Sequence, residues 1–124
     1  MLGPSGHIDT FTRDRLPPAE EWPEIRLQGF EYPDYLNAGV ELTDRMVDKG
    51  FGDHTALIGN GRMRTSKELT DWANRIAHVL VEDYGVKPGN RVMIRSANNP
   101  AMVACWLAAT KAGANLTTDS FIKV

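Results

Sequence analysis

The chain is short of several things, and each shortage excludes a class. Cysteine occurs once, at Cys105, in 124 residues. A lone thiol closes no internal disulfide, so a secreted disulfide scaffold is excluded and a reducing, cytoplasmic setting is the expectation. Positive charge is not in excess: 14 Lys and Arg stand against 16 Asp and Glu, a formal charge of -2. Surfaces built for nucleic acid or anionic lipid carry a basic surplus, so neither partner is expected. The longest apolar run, Ala101 to Ala109, is far short of the ~20 residues of a membrane span. The start, Met1 to His7, lacks the basic-then-apolar order of a secretory signal. Asn115-Leu116-Thr117 fits the N-glycosylation pattern, which carries no weight without a secretory route. What remains is globular in composition, 42% hydrophobic and 24% charged, and its length bounds it to one domain.

Prolines divide the chain. Five of the seven, Pro4, Pro17, Pro18, Pro23 and Pro33, fall in residues 1–36. Proline fixes φ and removes an amide donor, so this stretch is neither a long helix nor a central strand. It reads as an irregular arm. Phe11, Leu16, Trp22, Ile25, Leu27, Phe30 and Tyr32 are dotted along it, which suits an arm lying on a surface better than a free tail. Residues 37–124 read as a partial α/β subdomain. Asn37 is an N-cap for a helix whose apolar positions Leu36, Val40, Thr43 and Val47 recur at three- and four-residue steps, ending at Gly50. Thr55 to Gly59 and Arg62 to Thr65 flank Asn60-Gly61, the pair that a type I′ hairpin turn requires. Thr65-Ser66-Lys67-Glu68 is a capping box. It opens a helix with the stripe Leu69, Trp72, Ala73, Ile76, Ala77 and Leu80, stopped by Gly85. After the turn Lys87-Pro88-Gly89-Asn90, Arg91 to Arg95 reads as a buried strand. Asn99 and Pro100 start a third helix that Gly113 ends. Asn115 to Thr118 can supply one more strand, completing a right-handed βαβ unit.

The third helix is unusual. Ala101 to Ala109 has no polar face, and a helix apolar all round expects cover all round. Two helices, one hairpin and a sparse arm offer little. Leaving Met102, Val103, Trp106 and Leu107 half exposed forfeits roughly 4–6 kcal/mol, against a total stability of typically ~5–15 kcal/mol. The expectation is a piece of a larger domain. The alternative is that the arm and a homodimer contact cover the helix.

Catalytic constellations are missing. His7, His54 and His78 show no metal-ligand spacing. Cys105 sits among apolar neighbours, where a thiol is inert packing. Gly50-Phe51-Gly52 and Gly59-Asn60-Gly61 are turns, not phosphate loops between a strand and a helix. Glu20-Glu21 and Glu82-Asp83 read as solvated charge. No Ser-His-acid set converges, and Trp22, Trp72 and Trp106 do not alternate with basic residues.

Several segments together resemble the AMP-forming acyl-CoA ligases of the adenylate-forming superfamily. Thr65 to Leu69 is similar to their Thr-Tyr-x-Glu-Leu helix start, with Asn74-Arg75-Ile76-Ala77 and Leu80 continuing it. Gly85 to Val92 is similar to their Gly-Val-x-Pro-Gly-Asp-x-Val turn. Asn98-Asn99-Pro100 and Trp106 to Gly113 resemble the next loop and helix, so the likeness spans about residues 37–114. In the arm, His7 to Phe11, Arg13 to Pro18 and Trp22-Pro23-Glu24 resemble the benzoate and 2-aminobenzoate branch. Tyr32-Pro33, Leu36-Asn37 and His78 to Asp83 do so as well. The resemblance implies ATP, Mg²⁺ and coenzyme A for the full-length enzyme. It also implies a phosphate loop ending in Pro-Lys-Gly, a Tyr-Gly-x-Thr-Glu segment, a ribose-binding Asp and a C-terminal lysine, and none of these is present here. No catalytic, cofactor-binding or metal residue is therefore assigned to any position. Ser66 replaces the family's usual aromatic, and the likeness fades near Asn115, which points to truncation with an altered tail.

The reading is an N-terminal portion of an aromatic carboxylate CoA ligase, inactive alone, whose partner is the remainder of the ligase or a second copy. The alternative from another class is a small non-catalytic module that dimerises or binds a partner through its apolar helix. A flavodoxin-like nucleotide domain fails because no phosphate-cradling turn follows either candidate strand.

Overall fold

Small residues let two helices meet closely, and the other elements attach to that contact. A computed structural model describes residues 5–24, 29 and 31–120; Ile25, Leu27 and Phe30 of the arm and the last four residues of the tail lie outside this set. The long helices are α3, Ser66–His78, and α4, Pro100–Lys111. They follow two short ones, α1, Ala38–Leu42, and α2, Asp44–Met46. Strands β1, Thr55–Gly59, and β2, Arg62–Thr65, form the antiparallel hairpin, while β3, Arg91–Ser96, and β4, Asn115–Ser120, pair in parallel. The class is α/β, as the periodicities predict.

Local chemistry sets the starts and stops. Asn60 and Gly61 take φ of 53° and 70°, the left-handed pair of a I′ turn, and Gly59 faces Arg62 across it. Both halves of the capping box form: Thr65 Oγ1 accepts from the Glu68 amide at 3.2 Å, and the Glu68 carboxylate accepts from the Thr65 amide at 3.0 Å. Asn99 Oδ1 accepts from the Met102 amide at 3.0 Å, with Pro100 beside it in the first turn. Gly113 leaves α4 with φ of 75°. The strand after it reaches Ser120, two residues beyond the expected end, because every residue of β3 has a partner in β4.

Two expectations are corrected. The first helix is not continuous to Gly50. It breaks at Thr43, whose φ and ψ are -122° and -80°, and finishes as a wide turn over Val47–Phe51. Thr43 is buried, and its hydroxyl bonds back to the Gly39 carbonyl at 2.5 Å. Such back-bonding to the carbonyl four residues earlier bends helices. Leu36 and Leu42 are consequently exposed. The second correction concerns β3, which is not buried: exposed Arg91, Met93 and Arg95 alternate with half-buried Val92, Ile94 and Ser96. Within the described residues, only one face of the pair meets a helix, so burial has period two.

The core is a seam of alanine. Ala73 of α3 and Ala104 and Ala108 of α4 have no accessible surface, and Leu69 and Leu107 close the cluster, with Trp72, Ile76, Leu80, Val103 and Leu57 around it. The chain covers α4 more completely than a count of its elements suggests, because alanines allow close approach. The bulk remains outside: Trp106 is 36% exposed, Met93 70% and Ile58 78%.

α1 crosses α4 at Gly39. A Cβ there would lie 2.6 Å from Lys111 Cγ and 2.9 Å from both the Leu107 carbonyl oxygen and the Lys111 amide nitrogen. Two of those neighbours are helix backbone and cannot give way. Gly39→Ala is therefore expected to destabilise the fold by about 1–3 kcal/mol, read as a lower urea midpoint at unchanged slope.

The near part of the arm is attached. The Ile8 and Asp9 amides both donate to the Pro88 carbonyl, at 2.9 and 3.0 Å. The Asp9 carboxylate accepts from the Phe11 amide at 2.9 Å, Asn90 Nδ2 at 2.9 Å and Arg91 Nη1 at 2.7 Å. The Phe11 ring lies between two guanidiniums, Arg15 at 3.6 Å and Arg91 at 4.0 Å. The Phe11 amide, then Asn90, then Arg91 hold the Asp9 carboxyl below its ordinary 3.8 against the opposing effect of desolvation. A carboxylate whose folded pKa is depressed stabilises above its unfolded value and loses that contribution as pH falls. Acidification through 3.8 and below is expected to free the arm, seen as loss of exchange protection at the Ile8 and Asp9 amides. Asp9→Asn is expected to reduce that protection already at neutral pH.

Candidate functional site

The polar groups that sequence reasoning weighed stay scattered. Glu20-Glu21 and Glu82-Asp83 are exposed, as are His7, His54 and His78. The His54 and Phe51 rings meet edge to face, at 5.1 Å between centroids. Cys105 is half-buried, and burial pushes its thiol up, which makes it less reactive. Among the described residues no three His, Cys, Asp or Glu side chains gather as a metal site, and no helix is long and apolar enough to cross a membrane.

Three arrangements do bring functional groups together. The first is a clasp between α4 and the break after α1. Lys111, with 10% of its side chain exposed, pairs with Asp44. Its ammonium also donates to the Thr43 hydroxyl at 3.2 Å, and Asn37 Nδ2 donates to the Lys111 carbonyl at 3.0 Å. Burial pushes the Asp44 carboxyl up, but hydrogen bonds from Lys111 and Thr43 and the Lys111 charge outweigh it and hold the carboxyl below its usual range. This lysine faces inward and its ammonium is engaged by Asp44 and Thr43, so the clasp ties α4 to the break after α1. No sequence signal announces it, because its partners are 67 and 68 residues apart.

The second is an open cleft of about 590 Å³ between the arm and the end of α4, with His7, Tyr35, Asn37, Pro88, Thr110 and Gly113 in its wall. Asn37 is already engaged as a helix cap through the Val40 amide. Nothing in this wall pairs an acid with a base at bonding distance.

The third is a cleft of about 300 Å³ between the hairpin and the start of α4. Arg62 and Arg64, two apart on β2, share its wall with Trp72 and Asn99. Arg62 Nη2 meets Glu68 Oε1 at 3.1 Å. The Arg64 guanidinium lies over the Trp72 ring at 4.3 Å. The Arg-x-Arg spacing after a I′ turn is legible in the sequence, but nothing local to it distinguishes a cleft from a solvated strand face.

A βαβ unit with a hairpin and clasped helices defines the open α/β class, and among the described residues no acid–base or nucleophilic set gathers. Comparison with known proteins then places it. Residues 45–118 match the family described as "AMP-binding enzyme", and the chain belongs to that family. The match runs through Thr118, beyond Asn115 where the resemblance in the sequence fades. The chain is 33% identical over 79 residues to a 3-hydroxybenzoate--CoA ligase of Aromatoleum, a stretch covering 64% of this chain and 15% of that protein. It is 36% identical over 82 residues to a medium/long-chain-fatty-acid--CoA/3-oxocholest-4-en-26-oate--CoA ligase of Mycolicibacterium smegmatis, covering 66% and 14%. In structure it is similar to the N-terminal subdomain of Klebsiella oxytoca NpsA in complex with 3-hydroxyanthranilyl-AMSN, with a TM-score of 0.62 and 28% identity over 68% of this chain and 21% of that one. The chain thus spans about one seventh of these curated relatives and corresponds to part of an N-terminal adenylation subdomain.

Removing Asp44 leaves the Lys111 ammonium without its counter-charge. Asp44→Ala is expected to cost about 1–2 kcal/mol, at the low end for an inward pair because Asp44 itself is 37% exposed. Lys111→Met in the Asp44→Ala background is expected to recover part of the loss in a urea titration.

Proposed function

We propose that this chain is scaffold from an ATP-dependent CoA ligase for an aromatic carboxylate of the benzoate or 2-aminobenzoate kind. The observation that carries the reading is the family match over residues 45–118, together with 33% identity over 79 residues to a 3-hydroxybenzoate--CoA ligase. The arm motifs His7 to Phe11 and Trp22-Pro23-Glu24 support the aromatic branch, and so does the likeness to a subdomain holding a 3-hydroxyanthranilyl analogue. The identity to a fatty-acid and steroid-acid ligase supports reading this stretch as common to ligases of different substrates. In the full-length enzyme a carboxylate oxygen attacks the α-phosphorus of ATP and expels pyrophosphate. The thiol of coenzyme A then takes the acyl group and AMP leaves. Mg²⁺ supplies charge neutralisation at the phosphates.

The residues of this chain do none of those steps. α4 holds β3 and β4, α3 packs on α4 and on the hairpin strands, the capping box holds the start of α3, and no phosphate-cradling loop or free inward lysine stands among the described residues. The partner this scaffold fits is the remainder of the ligase, which covers Trp106 and the open face of β3. The exposure of Ile58, Met63, Met93 and Trp106 favours one second reading, a non-catalytic module that pairs through these groups.

The pure 124-residue chain with benzoate or 2-aminobenzoate, ATP, Mg²⁺ and coenzyme A is expected to release no AMP above a protein-free blank. AMP release that depends on the acid would overturn the scaffold reading. In light scattering after size exclusion, a compact soluble dimer would favour the module, and a dye-binding, loosely packed state favours the scaffold.

A further inference from the structure

We propose that the cleft between the β1–β2 hairpin and the start of α4 is a binding site for a small phosphate-bearing molecule, held by the guanidiniums of Arg62 and Arg64. This goes beyond the ligase reading and does not depend on it, because it rests on side chains of this chain alone.

Two arginines at i and i+2 of one strand present their side chains to one face, and both line this cleft. Arg64 is half-buried and makes no hydrogen bond to another described residue. Its planar face is occupied by Trp72, and stacking of that kind leaves the N–H edge available for a tetrahedral oxyanion. Arg62 contributes a second guanidinium, tethered through one nitrogen to Glu68. That tether fixes its position and leaves its other N–H groups for a ligand. The charge balance of the three groups is one net positive.

The walls are rigid, which lowers the cost of binding. The I′ turn fixes β2 against β1. Glu68 is held by the capping box. Gly59 is pressed onto Pro100 so closely that a Cβ there would sit 2.7 Å from Pro100 Cγ, which locks the hairpin to the helix. The cleft also lies beside the loop that leaves the carboxyl end of β3, the end at which open α/β sheets take ligands. Its volume, about 300 Å³, is at the lower limit of small-molecule sites. It suits a phosphate ester or a diphosphate rather than an extended ligand.

The test is NMR titration of the full chain at constant ionic strength, watching the Trp72 indole N–H. Probes are inorganic phosphate, pyrophosphate and adenosine 3′,5′-bisphosphate, with benzoate and chloride as controls. The expected result is a saturable Trp72 shift with at least one phosphate probe, while the Trp22 and Trp106 indoles stay in place. Binding is expected to weaken at least tenfold in Arg64→Gln, to be partly restored in Arg64→Lys, and to weaken about fivefold in Arg62→Gln, which leaves the Trp72 stack intact. Absence of a saturable Trp72 shift, an unchanged affinity in both glutamine variants, or an equal response to benzoate or chloride would each overturn the proposal. Should Arg64→Gln disturb the α3 and α4 amides, Arg62→Gln alone decides between these outcomes. A negative AMP-release assay leaves the site untouched, and a negative titration leaves the ligase reading untouched.

Discussion

Contact between α3 and α4 through alanine is the constraint on which the rest of the structure depends. Ala73, Ala104 and Ala108 exclude water completely although none has a side chain beyond Cβ. They do so because the two helix backbones lie close, and close backbones leave no room for anything larger. The apolar area each alanine removes from water is small, so the seam contributes more through geometry than through burial. It fixes where the two ends of α4 lie against α3. The beginning receives the hairpin, with Gly59 against Pro100. The end receives α1, with Gly39 against Lys111, and the Lys111 ammonium then reaches Asp44 across the break. Both attachments use a glycine, since the backbones cannot approach otherwise.

What the sequence showed and what it hid divide along physical lines. Signals that act over three or four residues were legible: the Thr65–Glu68 capping box, the Asn60-Gly61 turn, the Asn99-Pro100 start and the glycine exits. Each is a hydrogen-bonding or steric requirement that neighbours in the chain satisfy among themselves. The break at Thr43 was hidden, because its place in an apolar stripe suggested packing and only the tertiary position of Gly39 and Lys111 makes the back-bonded hydroxyl worthwhile. The exposure of β3 was hidden for a related reason. Arg91-Val92-Met93-Ile94-Arg95 reads as a buried run in composition, yet burial follows what lies on each face, and only one face meets a helix. For the functional groups, the clasp of Lys111, Thr43 and Asp44 has no signature in one dimension. The pair Arg62 and Arg64 does have one, but a charged strand face usually means solvent, and only Trp72 and α4 turn that face into a cleft.

Bulk and close packing lie in different parts of this fold. Its large apolar groups, Ile58, Met93 and Trp106 among them, lie outside the core, while the core is two leucines and four alanines. Bulky apolar groups left outside a core are the groups a fold can offer to neighbouring structure, and this stretch matches only about one seventh of its curated relatives.

The arm fits the same division. It attaches at Pro88, Asn90, Arg91 and Asn115, which are at or just before the starts of β3 and β4. The carboxyl ends of both strands stay clear of these contacts. In a parallel sheet the two ends are chemically unlike: ligands are taken at the carboxyl end, and the amino end is free to be tied down. Placing the Asp9 contacts at the amino end lets an 81-residue closure stiffen the βαβ unit without obstructing the edge where α4 starts and where Arg62 and Arg64 line the cleft. Support and binding are thereby separated along the strand direction, and the parallel pairing of β3 with β4 makes that separation possible.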